Sequence, residues 1–153
     1  MISVEEGVVV GEIDRLCVVV WRREVTRPRF AKQRAGLAEV AHKHPNGMGF
    51  ICVVEPTAPP PGDELRRASA DMIREHEGAL LGVACVVEGT GFVAALARSV
   101  LSAIAMLLGP RRTPLSIVGT VAAATAWLAP KMKIADPTAL ARAIESLRAE
   151  LPG

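Results

Sequence analysis

The sequence is short of most features that announce a function. Across its 153 residues, 18 lysines and arginines face 16 aspartates and glutamates, a formal charge of only +2. The basic residues are interspersed with acidic ones, so the chain lacks the cationic stripe that marks nucleic-acid binding. Arg22-Arg23 and Arg111-Arg112 are the notable basic pairs outside a predicted helix, and such pairs read as solvated loop ends. The three cysteines, Cys17, Cys52 and Cys85, each lie in an apolar run with no CxxC spacing and no histidine nearby. That pattern excludes a zinc or dithiol motif and reads as small core residues in a reducing compartment. A thiol nucleophile is disfavoured as well, because burial raises a thiol's pKa and hides it. The opening Met1-Ile2-Ser3-Val4-Glu5-Glu6 carries acidic residues where a secretion signal carries basic ones, so a soluble, cytoplasmic protein is expected. The most apolar stretch, Phe92 to Leu108, holds Arg98 near its middle and falls short of the roughly 20 residues of a membrane span.

Catalytic patterns are missing too. Ser69, Ser99 and Ser102 lie in no nucleophile elbow, and no Ser/His/Asp set assembles. His42 and His44 are two residues apart near a helix end and point in different directions, which argues against a metal; as positive groups they suit the helix dipole instead. No catalytic residue, metal or cofactor is expected.

What remains is a globular balance, half apolar and 22% charged, sufficient for one domain over residues 1–153. Gly7-Val8-Val9-Val10-Gly11 and Leu16 to Trp21 flank a polar Glu12-Ile13-Asp14-Arg15 and predict an antiparallel hairpin. Thr26 offers a cap and Pro28 suits a first turn, and Phe30, Leu37, Val40 and Ala41 follow at helical spacing up to Pro45-Asn46-Gly47. Gly49 to Val54 and Leu80 to Val87 are continuous apolar runs, the mark of strands covered on both faces. Between them, Pro56 to Gly62 holds four prolines and must be a stiff, extended loop, after which Asp63 and Glu64 favour the start of a helix that Gly78 stops. Beyond Gly89-Thr90-Gly91 the pattern predicts a helix over Phe92–Leu108, a short strand over Leu115–Val118, a helix over Thr120–Leu128 and a last one over Pro137–Leu151. Strands alternating with helices imply right-handed crossovers, a mostly parallel or mixed sheet, and helices on both of its faces.

One internal echo stands out. Cys52-Val53-Val54-Glu55-Pro56-Thr57 matches Cys85-Val86-Val87-Glu88-Gly89-Thr90 at five of six positions, as two equivalent strand–turn units would. If those strands are parallel neighbours, Glu55 and Glu88 emerge at their carboxyl ends, where open α/β sheets place ligands, and two carboxylates there could serve as acid and base. The plainer alternative is a pair of strand-end residues balanced by Arg66, Arg67 or Arg98. The Gly89-Thr90-Gly91 turn offers amides and a helix dipole to an anion, yet it lacks a Walker lysine and the full dinucleotide glycine pattern. Close strand-to-helix packing accounts for its glycines equally well. Arg98 could hold an anion or a partner, or sit at the helix rim with its stem snorkelling. Glu55, Thr57, Glu88, Gly89, Thr90, Gly91 and Arg98 are therefore the candidate ligand-binding residues.

The hairpin leading to Val25-Thr26, the Glu88-Gly89-Thr90-Gly91-Phe92 turn and the alanine-rich Ala122-Ala123-Ala124-Thr125-Ala126-Trp127-Leu128 together resemble the STAS and SpoIIAA-like domains, most of all their unassigned bacterial members, over about Gly7 to Pro130. The resemblance implies a mixed sheet of about five strands with helices packed against it, residues 130–153 being a C-terminal helical extension. It also implies a non-enzymatic, regulatory or protein-docking role. In anti-sigma-factor antagonists of this kind a serine at a helix start after the central strand is phosphorylated. Here that stretch is Glu55-Pro56-Thr57 and the proline loop, with Thr57 and Asp63 the nearest positions. Some relatives hold lipids or small apolar molecules beneath their helices. Two functions follow: an interaction module that forms a homodimer or binds an unidentified protein, and a ligand-binding domain or enzyme built on Glu55, Glu88 and the Gly89–Gly91 turn. Neither involves nucleic acid or a membrane span.

Overall fold

A computed structural model describes residues 2–110 and 113–153, with Ile2 described by its backbone only; the Arg111-Arg112 pair lies outside the described residues. Six strands form one sheet in chain order: β1 (Ile2–Glu5), β2 (Val8–Ile13), β3 (Leu16–Trp21), β4 (Met48–Val54), β5 (Leu80–Val87) and β6 (Leu115–Val118). The first three pair antiparallel and the last four run parallel. The fold is thus α/β with a mixed sheet, one strand larger than the expected five. The extra strand is β1, whose four residues pair with β2. So short a run has too little alternation to declare itself, and only its ladder to β2 makes it a strand.

The predicted hairpin forms with a two-residue turn at Asp14-Arg15, where Asp14 takes φ 54° as tight hairpin turns demand. Thr26 caps α1 (Arg27–Lys43) by accepting a hydrogen bond from the Arg29 amide at 3.3 Å. Three crossover helices, α1, α2 (Asp63–Glu75) and α3 (Phe92–Leu108), cover one face of the sheet. The other face carries α4 (Val121–Met132) and α5 (Pro137–Arg148). The alanine-rich helix runs beyond the expected Leu128 end and through Pro130, stopping where Lys133 turns left-handed. Proline's lost donor matters little this close to a helix end held by packing, since Leu128, Ala129 and Met132 are all buried.

Each central strand divides its side chains between the two layers with period two. Cys17, Val19 and Trp21 of β3 face α1–α3, while Leu16, Val18 and Val20 face α4 and α5. The second layer docks closely because two glycines leave notches for it. A β-carbon on Gly49 would lie 2.5 Å from Met132 Sδ, and one on Gly82 would lie 2.8 Å from Leu128 Cδ1. Gly49 and Gly82 are register partners, so Leu128 drops into one continuous hollow. Segment 130–153 is integral to this layer: Leu140, Ile144, Leu147 and Leu151 are buried with the sheet beneath them.

All three cysteines are free thiols. Burial pushes Cys17 and Cys85 from an ordinary value of 9.0 up to about 12, and raises Cys52 well above its ordinary value. A folded value above the unfolded one means that the native state holds these protons more tightly. Their contribution is therefore complete below pH 9 and is lost as pH climbs towards 12, at up to ~1.4 kcal/mol per pH unit for each thiol. In a denaturant series over that window, stability is expected to fall with pH, and the Cys85→Ala variant is expected to show a shallower slope than wild type. Equal slopes would contradict the assignment.

Candidate functional site

The parallel register carries the chemistry of the carboxyl-terminal sheet edge. Trp21 pairs with Val54, and Val54 with Val87. The ladder continues one residue further, through Glu55 N–H to Trp21 O at 2.9 Å and Glu88 N–H to Val54 O at 3.1 Å. Arg22, Glu55 and Glu88 therefore stand side by side. By strand alternation they point to the face opposite Trp21, Val54 and Val87, towards α5. The internal echo of the sequence is here a physical pairing, with Cys52 beside Cys85 and Glu55 beside Glu88.

Arginines close this row. Arg22 grips Glu55 through Nε to Oε1 at 2.6 Å and Nη2 to Oε2 at 3.1 Å. Arg148, from the last turn of α5, grips Glu88 through Nη1 to Oε1 at 2.6 Å and Nη2 to Oε2 at 2.7 Å, and also reaches Glu55 Oε2 at 3.2 Å. Its Nε sits 3.0 Å from Glu145 Oε2 but in poor hydrogen-bonding geometry. The Glu55 carboxylate is nearly buried, and the Arg148 and Glu88 side chains are 17% and 23% exposed. Hydrogen bonding to Glu88 raises the Arg148 guanidinium above its ordinary value, and hydrogen bonding to Glu55 does the same for Arg22.

This corrects two expectations. Arg22 is a half-buried ion-pair member instead of a solvated loop end, because the ladder past Trp21 fixes its direction. The arginines balancing Glu55 and Glu88 are Arg22 and Arg148, whereas Arg66 bonds Pro61 O and Asp63, and Arg98 reaches Gly89 O at 3.5 Å. Two bidentate pairs make Glu55 and Glu88 hydrogen-bond acceptors. Through Arg148 they tie the sheet edge to α5 as a clamp.

The other candidates scatter around that clamp. Thr57 donates its hydroxyl hydrogen bond to Arg22 O at 2.6 Å and pins the start of the proline loop. Gly89 and Gly91 adopt φ 87° and 92°, Gly91 as the N-cap of α3, which is the conformational reason for glycine at both. A β-carbon on Gly89 would also come within 3.0 Å of Pro56 Cγ, so close packing of the two turns is part of its role. Thr90 and Arg98 are exposed, and the rim reading of Arg98 holds. Among the described residues, no cluster of three or more His, Cys, Asp or Glu side chains could hold a metal, and no helix is long and apolar enough to cross a membrane.

Two features escape sequence reasoning. One is Arg148, whose only signal is its place four residues after the buried Ile144. The other is an apolar cavity of about 70 Å³ on the α1–α3 side, roofed by Pro59, Pro60 and Pro61. No protein-family model, no curated protein and no solved structure matches this chain.

Proposed function

We propose that the chain is a non-enzymatic docking module of the STAS or SpoIIAA-like kind that self-associates through the outward face of α3. The observation that carries this reading is a set of large apolar side chains in water: Phe92 and Met106 are 81% and 82% exposed, and Val93, Leu96 and Leu107 are each more than 40% exposed. Helical spacing lines Phe92, Leu96, Ala103 and Leu107 along one stripe, with Met106 beside it. Large apolar side chains exposed along one helix of a folded chain mark an interaction site.

A second copy is the occupant that the chemistry of the stripe favours. The helix has one charged residue, Arg98, and none of opposite sign for a charged partner to read. An apolar stripe is its own complement across a two-fold axis. The neighbouring β6 is an edge strand, so the same axis could bring two β6 edges together. The arginine clamp on Glu55 and Glu88 further supports a role without turnover.

Sedimentation equilibrium tests the proposal. Wild type is expected to run at about twice its 16.2 kDa mass, and the Leu96→Lys/Met106→Lys variant as a monomer with little change in Tm, because both positions are solvent-facing. A wild type that stays monomeric at about 100 µM, a concentration at which even weak dimers assemble, would overturn it.

A further inference from the structure

We infer that two copies of the chain join through β6, whose edges pair antiparallel about a two-fold axis at Ser116 and make one sheet continuous across the dimer. The inference rests on the reading that the chain self-associates, and it names a second contact made of backbone instead of apolar side chains. Its basis is the register of β6. Val83 pairs with Leu115 and Val86 with Val118, and the Val83 N–H donates to Pro114 O at 2.9 Å. Along a strand, successive residues turn their backbone groups to opposite sides. Ser116 and Val118 therefore turn their N–H and C=O groups to β5, while Leu115 and Ile117 turn theirs away from the sheet. Among the described residues no group bonds to those outward donors and acceptors.

The two edges of the sheet differ. β1 ends on Glu5, whose carboxylate meets Lys32 of α1 at 3.4 Å, and a charge on an edge strand discourages pairing. β6 reads Leu115-Ser116-Ile117-Val118, with neither charge nor proline, and its residues are half-buried. An open edge of this kind takes up a further strand.

The spacing of the outward groups selects the occupant. They belong to Leu115 and Ile117, which are symmetric about Ser116. An inverted copy of β6 centred on Ser116 sets Leu115 of each chain opposite Ile117 of the other, and each such pair exchanges both of its hydrogen bonds. Every outward group finds a partner, and the interface is self-complementary as a two-fold demands. The axis stands perpendicular to the sheet, so both copies of α3 lie on the same face. Ile117 packs on the cluster that Ala94 and Ala97 of α3 form with Val87. The two α3 helices therefore come side by side above the joined strands, and the strand and helix contacts belong to one dimer.

In this register the two Ser116 residues form the central pair, not joined by backbone hydrogen bonds, with Cα atoms ~4.5 Å apart. That separation is within disulfide reach, whereas the copies of the exposed Gly119 stand ~20 Å apart. Oxidised glutathione takes up the two electrons and two protons that a thiol pair releases. Under it, Ser116→Cys is expected to cross-link at least about tenfold faster than Gly119→Cys. In wild type, the Leu115 and Ile117 amides are expected to exchange with solvent about tenfold more slowly at ~500 µM than at ~20 µM, while those of Ser116 and Val118 are protected at both. Equal cross-linking rates, or a dimeric wild type whose Leu115 and Ile117 amides exchange freely, would overturn the inference and leave the α3 reading standing. A cross-linked, protected dimer that persists in the Leu96→Lys/Met106→Lys variant would overturn the α3 reading and leave this one. A chain that stays monomeric with an open edge would overturn both and leave β6 to a strand from another protein.

Discussion

Replacing Arg148 by methionine is expected to lower the unfolding free energy by about 3 kcal/mol, the range for removing one partner of a largely buried ion pair. The substitution keeps an aliphatic stem and strands Glu88 without a cation, with Glu55 next to it in the register. Like charges on neighbouring strands repel, and the remaining Arg22 bonds Glu55 and the Leu151 carbonyl. The Arg148→Met/Glu88→Gln double variant removes the stranded charge and is expected to recover part of the loss, a coupling that a double-mutant cycle reads directly. Urea denaturation provides the measurement. A loss under about 0.5 kcal/mol would place the pair with ordinary solvated surface contacts and would remove the argument that the sheet edge is a structural clamp.

Leu128→Ala is expected to be of similar size, about 3 kcal/mol, because the side chain is fully buried and its removal leaves a void that the sheet cannot refill. The floor of that void is Gly49 and Gly82, which have no side chains to move into it. This geometry also predicts a reversal of sign. In wild type, Gly82→Ala drives a methyl to 2.8 Å from Leu128 Cδ1 and is expected to destabilise. In the Leu128→Ala background the same methyl fills part of the hollow and is expected to stabilise. If Gly82→Ala shifted stability equally in both backgrounds, the two residues would not share a hollow.

Much of the architecture was legible because it rests on local rules. The ends of α3, the Thr26 cap, the buried strands and a stop to α2 ahead of Gly78 follow from apolar period, capping hydroxyls, proline and glycine, each acting within a few residues, although α2 ends at Glu75, short of the His76 expected on its buried stripe. The repeated Cys-Val-Val-Glu even located a true strand pairing. The strand β1 and the last turn of α4 were missed for the complementary reason: each is held by a distant partner, β2 in one case and the buried sheet face under Met132 in the other. That Glu55 and Glu88 share one sheet edge was legible while their arginine partners were not, since the choice of Arg22 and Arg148 over Arg66, Arg67 and Arg98 depends on which face each side chain leaves.

The class of fold, the alternation of strands and helices, and the apolar character of α3 were readable from local pattern, because hydrophobic period and backbone restriction act without long-range information. Which groups the charged side chains meet and where empty space lies depend on long-range contacts. Arg148 meets Glu88 across 60 residues of chain, and the cavity exists only where the proline loop closes over the ends of β3 and β4 beside α3. Contacts between distant segments depend on register and layer geometry, which no local pattern encodes.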